Sequence, residues 1–397
     1  MPSGVLEKSL TIVPDTVDRD FNFALPVLPY IAGRELVGEI VETSDEASTK
    51  FSVGDQVIAI STDYRDLRKA CFQEYVVASD FNILKLPRNV SPRQGAGVGV
   101  GFVAAALALG VCLGVDFGSV EDGPDLLAMV RGQDVQDRLA PDIAEECREG
   151  IEVAERAGSG DWIVIWGGSS VTAAVAAQLA RLAGLRVVLV VNQAKHGLRI
   201  VQSAVLAPDL LIDGHDPVRA AEIISSTLKG QVRFALDTSG RESAALLAGV
   251  LDRAGESGHH EKKPGLSTVE VRQEHHADDG NGGSRASTLV TPPRTPPSRP
   301  RPLPQRSHVV GLAGLPKAEV GRSDKIALHS VPIKLFHDTP DVGRALTAWL
   351  YRLLSSGAVA CPDTLSVDRG LDGVNQGLDK MRAGTISGGR AVVEMAG

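Results

Sequence analysis

Residues 161–191, DWIVIWGGSSVTAAVAAQLARLAGLRVVLVV, constrain the fold more than any other stretch of the chain. A short apolar run of Ile, Val and Trp stops at Gly-Gly-Ser-Ser, a helix-forming run with almost no large side chain follows, and a second apolar run closes the segment. Apolar runs this short, bounded by glycine and alternating with helices, read as buried strands of a βαβ unit, so the two strands lie parallel in one sheet. The texture continues downstream. LLID at 210–213, VRFALDTSG at 232–240 and HVVGLAGLP at 308–316 read as a third, fourth and fifth strand, and a helix near 339–355 ends at Gly357. The fold class is therefore α/β, built on a doubly wound parallel sheet.

Upstream the pattern differs. From Ile31 to Leu86 the runs VGEIVET, VGDQVIAIS and FQEYVVAS are rich in β-branched residues and separated by Gly-Asp or Ser-Asp turns, which predicts a compact β domain. Residues 95–115, GAGVGVGFVAAALALGVCLGV, carry no charge over a length that could cross a bilayer. Their glycine density and lack of aromatic or basic anchors favour a buried helix between two domains, and no membrane span is assigned. The boundaries expected are 1–115 for the β domain, 116–158 for a helical insertion at the surface, 159–338 for the parallel-sheet domain and 339–397 for a closing segment. Interrupting the third is 256–307, which contains HHEKK, HHADDGNGG and TPPRTPPSRPRPLP. It is too polar and too rich in Pro and Gly to bury a core, and reads as a disordered excursion. Its two His-His pairs could catch metal ions and its PxxP run could suit an SH3-type groove; a solvated polar tract explains both as well.

Charge and cysteine usage exclude several classes. Asp and Glu number 49 against 41 Lys and Arg, a net charge of -8, which argues against a nucleic-acid surface. The four Cys, at 71, 112, 147 and 361, form no CxxC pair. They support neither a disulfide framework nor structural zinc, and they suit reduced thiols in the cytoplasm. The opening residues carry acidic side chains where a secretory leader needs an apolar core.

The chemistry concentrates in the turn Gly167-Gly168-Ser169-Ser170-Val171-Thr172-Ala173. Glycine lets the backbone approach a pyrophosphate closely, free N–H groups at a helix start favour negative charge, and Ser169, Ser170 and Thr172 add hydroxyl donors. It is not a clean GxGxxG, and a plain tight turn would use the same residues; its place between a strand and a helix of small residues favours a dinucleotide. NAD sites usually carry an acidic residue at the end of the next strand, for the ribose 2′-OH. Here that run is Val191-Asn192-Gln193-Ala194-Lys195-His196-Gly197-Leu198-Arg199, with no carboxylate. Lys195, with Arg199 or His196 nearby, suits a 2′-phosphate, so NADP(H) is the expected cofactor; ordinary solvated helix-start charges are the competing reading.

The order PYIAGRELVGEIVE, VGDQVI, FQEYVVASDFNILKLP, WGGSS, QLARLAG, PDLLIDGHDP, FALDTSG and GLDKMRAGTISGGRAVVEM resembles the medium-chain dehydrogenase/reductase superfamily. In texture it is most similar to the zinc-independent branch of quinone reductases and fungal trans-acting enoyl reductases. The resemblance covers nearly all of 29–255 and 308–397 except 116–158. It implies a GroES-like β-barrel domain at the N-terminal side, completed by the closing segment, around a Rossmann domain, with nicotinamide and substrate in the cleft between them. Carried over residue by residue, it puts cofactor contacts on Gly167, Gly168, Ser169, Ser170, Val171 and Thr172, on Asn192 and Lys195 beside the adenosine ribose, and on Thr238, Gly240, Gly311 and Leu312 beside the nicotinamide.

Two departures accompany the matches. Zinc-dependent members have Gly-His-Glu where this chain has Gly33-Arg34-Glu35, and the cysteine-rich zinc lobe is absent, so no metal site is expected. Arg34 and Glu35 are expected to form an ion pair at the cleft. Fewer residues precede Pro29 than the family usually has, so the β domain is expected to be shortened at its start and the general acid is unassigned; Tyr64 is a weak candidate beside the reading of a loop tyrosine. The implied activity is NADPH-dependent hydride transfer to an activated C=C or C=O of a small molecule or acyl thioester. The alternatives are a non-catalytic NADP-binding protein with an incomplete active site and a scaffold acting through the Pro-rich excursion. Dimers are usual in the family.

Overall fold

The computed structural model describes residues 4–14, 29–45, 47–63, 65–256, 306–316 and 324–395. The excursion expected at 256–307, with its His pairs and PxxP run, falls outside the described residues apart from its ends, and Tyr64 falls outside them too.

The first half of the chain forms an antiparallel sheet from β1 (Gly4–Ile12), β2 (Glu35–Thr43), β3 (Gln56–Ile60), β4 (Tyr75–Ser79) and β5 (Ile83–Lys85). The sequence reading has no counterpart of β1. Its inward positions carry Glu7, Ser9 and Thr11 as well as Val5, so the alternation of apolar and polar residues that betrays a half-buried strand is missing. Yet β1 is central. It pairs β2 along one side and, along the other, β4 through Gly4–Lys8 and the chain's last strand through Thr11 and Ile12.

The parallel sheet consists of β6 (Trp162–Trp166), β7 (Arg186–Val191), β8 (Leu210–Asp213), β9 (Val232–Asp237), β10 (Ser307–Gly311) and β11 (Ile326–Ser330). Its order is β11-β10-β9-β6-β7-β8, and every pairing is parallel. The sequence reading stops at five strands; β11 was missed because it is an edge strand with mostly half-buried residues. Between β6 and β9 the direction of strand addition reverses. Crevices at the carboxyl ends of such strands are where doubly wound sheets bind ligands. The chain then returns through the helix Pro340–Ser356, capped by Gly357 at φ 76°, to β12 (Thr364–Arg369) and β13 (Arg390–Glu394), which join the first sheet beside β1. The result is a GroES-like β unit and a Rossmann unit in one α/β chain.

The uncharged run is the hinge of this packing. Pro92–Cys112 is a 21-residue helical stretch of mean hydropathy 2.0, long and apolar enough to cross a membrane, and 94% of its most apolar window is buried inside the protein. Its segment Gly99–Leu107 lies against the helix Val171–Leu182 of the βαβ unit. Gly101 makes the approach possible, since a Cβ there would stand 2.9 Å from Val171 Cγ1.

Segment 116–158 departs from its expected surface position. It is helical over Leu126–Arg131, Gln133–Gln136 and Pro141–Glu149, but Phe117, Leu126, Leu127, Val130 and Cys147 are fully buried in the same core as the hinge helix. Trp349 ties it to the closing segment: its indole packs on Phe117 at 4.6 Å and donates through Nε1 to the Val120 carbonyl at 3.0 Å. The apolar residues of the segment are few and irregularly spaced over short helices, so no periodic face announced the burial.

Candidate cofactor and active site

At the carboxyl end of β6 the backbone must reverse within two residues. Gly167 does this at φ 78°, and a Cβ at this position would meet the hydroxyls of Thr238 and Ser239, so only glycine fits. Gly168 is constrained as well, because a Cβ would stand 2.8 Å from Val191 Cγ1. Ser170 caps the helix that follows: its Oγ accepts the Ala173 N–H at 3.1 Å. Val171 and Thr172, in the first turn, have no intrahelical acceptor for their N–H groups. A helix start presenting such donors behind a glycine turn is an anion cradle.

Thr238 fastens this turn across the switch point. Its Oγ1 lies 3.0 Å from the Trp166 carbonyl, 3.1 Å from that of Gly167 and 3.0 Å from Ser170 Oγ. One residue earlier, buried Asp237 accepts the N–H groups of Ser239 at 3.0 Å and Gly240 at 2.7 Å. Burial raises the Asp237 pKa against the effect of these hydrogen bonds. The Leu312 N–H, beyond Gly311 at the end of β10, donates to the Asp237 carbonyl at 2.9 Å. Thr238, Gly240, Gly311 and Leu312 thus gather at one edge with the glycine turn, though no spacing in the sequence links them.

At the end of β7, Asn192 caps the helix Gln193–Gln202 by accepting the Lys195 N–H at 3.1 Å. The Lys195 side chain is exposed and has no ionic partner among the described residues. Its two companions each have a further neighbour. Arg199 reaches Asp363 at 3.5 Å, and His196 is buried with Nε2 3.0 Å from Ser387 Oγ. A carboxylate at this corner, Asp213 at the end of β8, accepts the N–H groups of Gln193 and His215 at 3.0 and 3.3 Å.

On the β side, Gly33-Arg34-Glu35 departs from the expected local pairing. Glu35 Oε1 meets Arg390 Nη2 at 2.9 Å and Oε2 accepts the Val100 N–H at 2.9 Å, while Arg34 donates to the Tyr30 hydroxyl at 2.8 Å. Adjacent strand residues point to opposite faces, which sends Arg34 and Glu35 to different neighbours. Arg390, which the sequence reading did not single out, also donates from Nε to the Gly97 carbonyl at 3.1 Å. The only sequence signal for it was the SGGR turn before the last strand.

A resident cofactor can be tested against these residues. A glycine turn with no room for a Cβ, capped donors at a helix start and an unpaired ammonium at the end of the second strand form a set suited to a dinucleotide. No group of three His, Cys, Asp or Glu side chains converges among the described residues, and the four cysteines are free, three of them buried.

Comparisons with known proteins agree with this geometry. Residues 11–88 match the alcohol dehydrogenase GroES-like domain family. The trans-enoyl reductase caaB of Aspergillus niger is 27% identical over 395 residues, covering 98% of this chain and 90% of that protein. A quinone oxidoreductase of Sus scrofa is 36% identical over 84 residues, 21% of this chain and 24% of its own. Among solved structures, a mycobacterial protein complexed with NADPH superposes with a TM-score of 0.61 at 16% identity, over 99% of this chain and 92% of its own. The two sheets define a GroES-like unit joined to a Rossmann unit, and the named relatives support an oxidoreductase on this frame. By these likenesses the chain is similar to medium-chain dehydrogenases/reductases, and among them to quinone reductases and trans-enoyl reductases of the zinc-independent kind.

Proposed function

We propose that the protein is an NADPH-dependent reductase that delivers hydride to an activated C=C or C=O, as in an enone, a quinone or an enoyl thioester. The observation that carries the cofactor preference is the exposed Lys195 at the end of β7, without an ionic partner among the described residues and in a run without a carboxylate. A 2′-phosphate binds such a point charge, whereas a ribose 2′-OH calls for an acidic acceptor. The names of the fungal and mammalian relatives support enoyl and quinone acceptors.

When bound, the cofactor supplies the hydride. The turn at 167–173 would hold its pyrophosphate, Lys195 its 2′-phosphate, and the loops beginning at Thr238 and Leu312 would border the nicotinamide. Hydride adds to the carbon β to the carbonyl, the electron pair moves onto the carbonyl oxygen, and a proton from a donor or water adds at the α carbon. Four cysteines without a disulfide between them suit a reducing compartment such as the cytoplasm.

Fluorescence titration with NADPH and NADH tests the preference. NADPH should bind more tightly, and Lys195→Ala should weaken NADPH by roughly tenfold while sparing NADH. Equal affinities, or an indifferent Lys195→Ala variant, would remove the NADP reading. NADPH consumption with an enone, a quinone and a short enoyl thioester then tests the acceptor class.

A further inference from the structure

His196 is 6% exposed on the helix that carries Lys195, with Nε2 at 3.0 Å from Ser387 Oγ. The loop holding Ser387 presses onto it because Gly388, at φ 86°, has no side chain: a Cβ would stand 2.9 Å from His196 Nδ1 and 3.0 Å from Arg199 Nη2. Arg199 Nη2 is buried without a hydrogen-bond acceptor, and Nη1 is 3.5 Å from Asp363. The charges acting on the imidazole are Arg199 and Lys195 on its own helix, and Arg199 is itself paired with Asp363. The loop at 385–389 contributes a hydroxyl and backbone, and its next charge, Arg390, is paired with Glu35. Burial, then Arg199 and Lys195, hold the His196 pKa below the usual imidazole value.

We propose that His196 is a specificity-determining residue for the cofactor, taking up a proton when a 2′-phosphate binds beside Lys195 and Arg199. The proposal rests on the NADP reading above. A phosphomonoester brings roughly -1.5 to -2 charges at neutral pH, which reverses the field of the two cations. The imidazolium then donates its Nε2–H to Ser387, a charge-assisted bond between the cofactor helix and the loop leading to β13. Selectivity for the 2′-phosphate therefore rises as pH falls from about 8 toward 6, below which protonation of the phosphate itself opposes it.

Calorimetry of the full chain with adenosine 2′,5′-bisphosphate and adenosine 5′-monophosphate, near neutral pH in two buffers of different ionisation heat, reads the proton directly. The bisphosphate should draw in a fraction of a proton and bind about 3- to 10-fold more tightly at the acid end of the window, and the monophosphate should do neither. His196→Gln should abolish both effects. NMR of the wild-type imidazole gives a reading independent of the variant's folding: the His196 midpoint should rise with the bisphosphate alone. Absence of proton uptake, its persistence in His196→Gln, or an unmoved midpoint overturns the proposal. A bisphosphate that binds more tightly than the monophosphate at every pH without proton uptake sinks only this proposal; one that binds no more tightly sinks the NADP reading as well.

Discussion

Arg390 Nη2 stands 2.9 Å from Glu35 Oε1, and this pair brackets the start of the hinge helix. Arg390 takes the Gly97 carbonyl and Glu35 takes the Val100 N–H, so the last strand and the second strand clamp one loop from both sides. Glu35 is buried, and removing Arg390 takes a charged partner from a desolvated carboxylate. We expect Arg390→Met to cost about 3 kcal/mol, and the double variant Glu35→Gln, Arg390→Met to cost less than the sum of the Glu35→Gln and Arg390→Met singles. Urea unfolding of the four proteins checks this; additive losses would show that the two side chains act independently.

The glycine turn predicts a local defect. Gly167→Ala places a methyl group against the Thr238 and Ser239 hydroxyls at a φ that alanine avoids. The strain should cost about 1–3 kcal/mol of stability and more than tenfold in nicotinamide cofactor affinity. Melting temperature and cofactor titration measure the two effects, and an alanine variant with wild-type affinity would count against a cofactor at this turn.

Buried Glu7 predicts an alkaline weakness. Neither carboxyl oxygen has a hydrogen-bond partner, and burial pushes its pKa up to about 8. The unfolded chain releases this proton near the ordinary carboxyl value of 4.5, whereas the folded protein keeps it until about 8. The stability so contributed is full at acid pH and is lost as pH rises through that window, by a few kcal/mol in total. Glu7→Met should flatten the dependence, so its stability advantage over wild type grows from pH about 5 to about 8.5 in denaturant unfolding.

His308 predicts the opposite slope. It lies between His329, Nδ1 to Nε2 at 3.0 Å, and Glu155, and burial followed by the neighbouring His329 lowers its pKa to about 3. The unfolded imidazole takes a proton near 6.5, so stability contributed by neutral His308 is present above that value and is lost as pH falls toward 3. His308→Phe, which keeps the stacking on Phe234, should show a shallower acid limb in thermal unfolding between those pH values. An unchanged limb would assign the loss to other groups.

Sequence and tertiary structure divided the protein along a physical line. The strand, glycine turn and helix at 161–191 and the helix stop at Gly357 were legible, because burial period, turn conformation and helix capping act over a few residues. So was the buried fate of the uncharged hinge helix. What lies far apart in sequence was not. The inward Glu7 and Ser9 hid β1, Arg390 took Glu35 from an expected partner one residue away, and Thr238 and Asp237 reached the glycine turn only through the pairing of β6 with β9. These contacts depend on which strands become neighbours, and that is decided by closing long loops and packing the core as a whole, a choice no local pattern records.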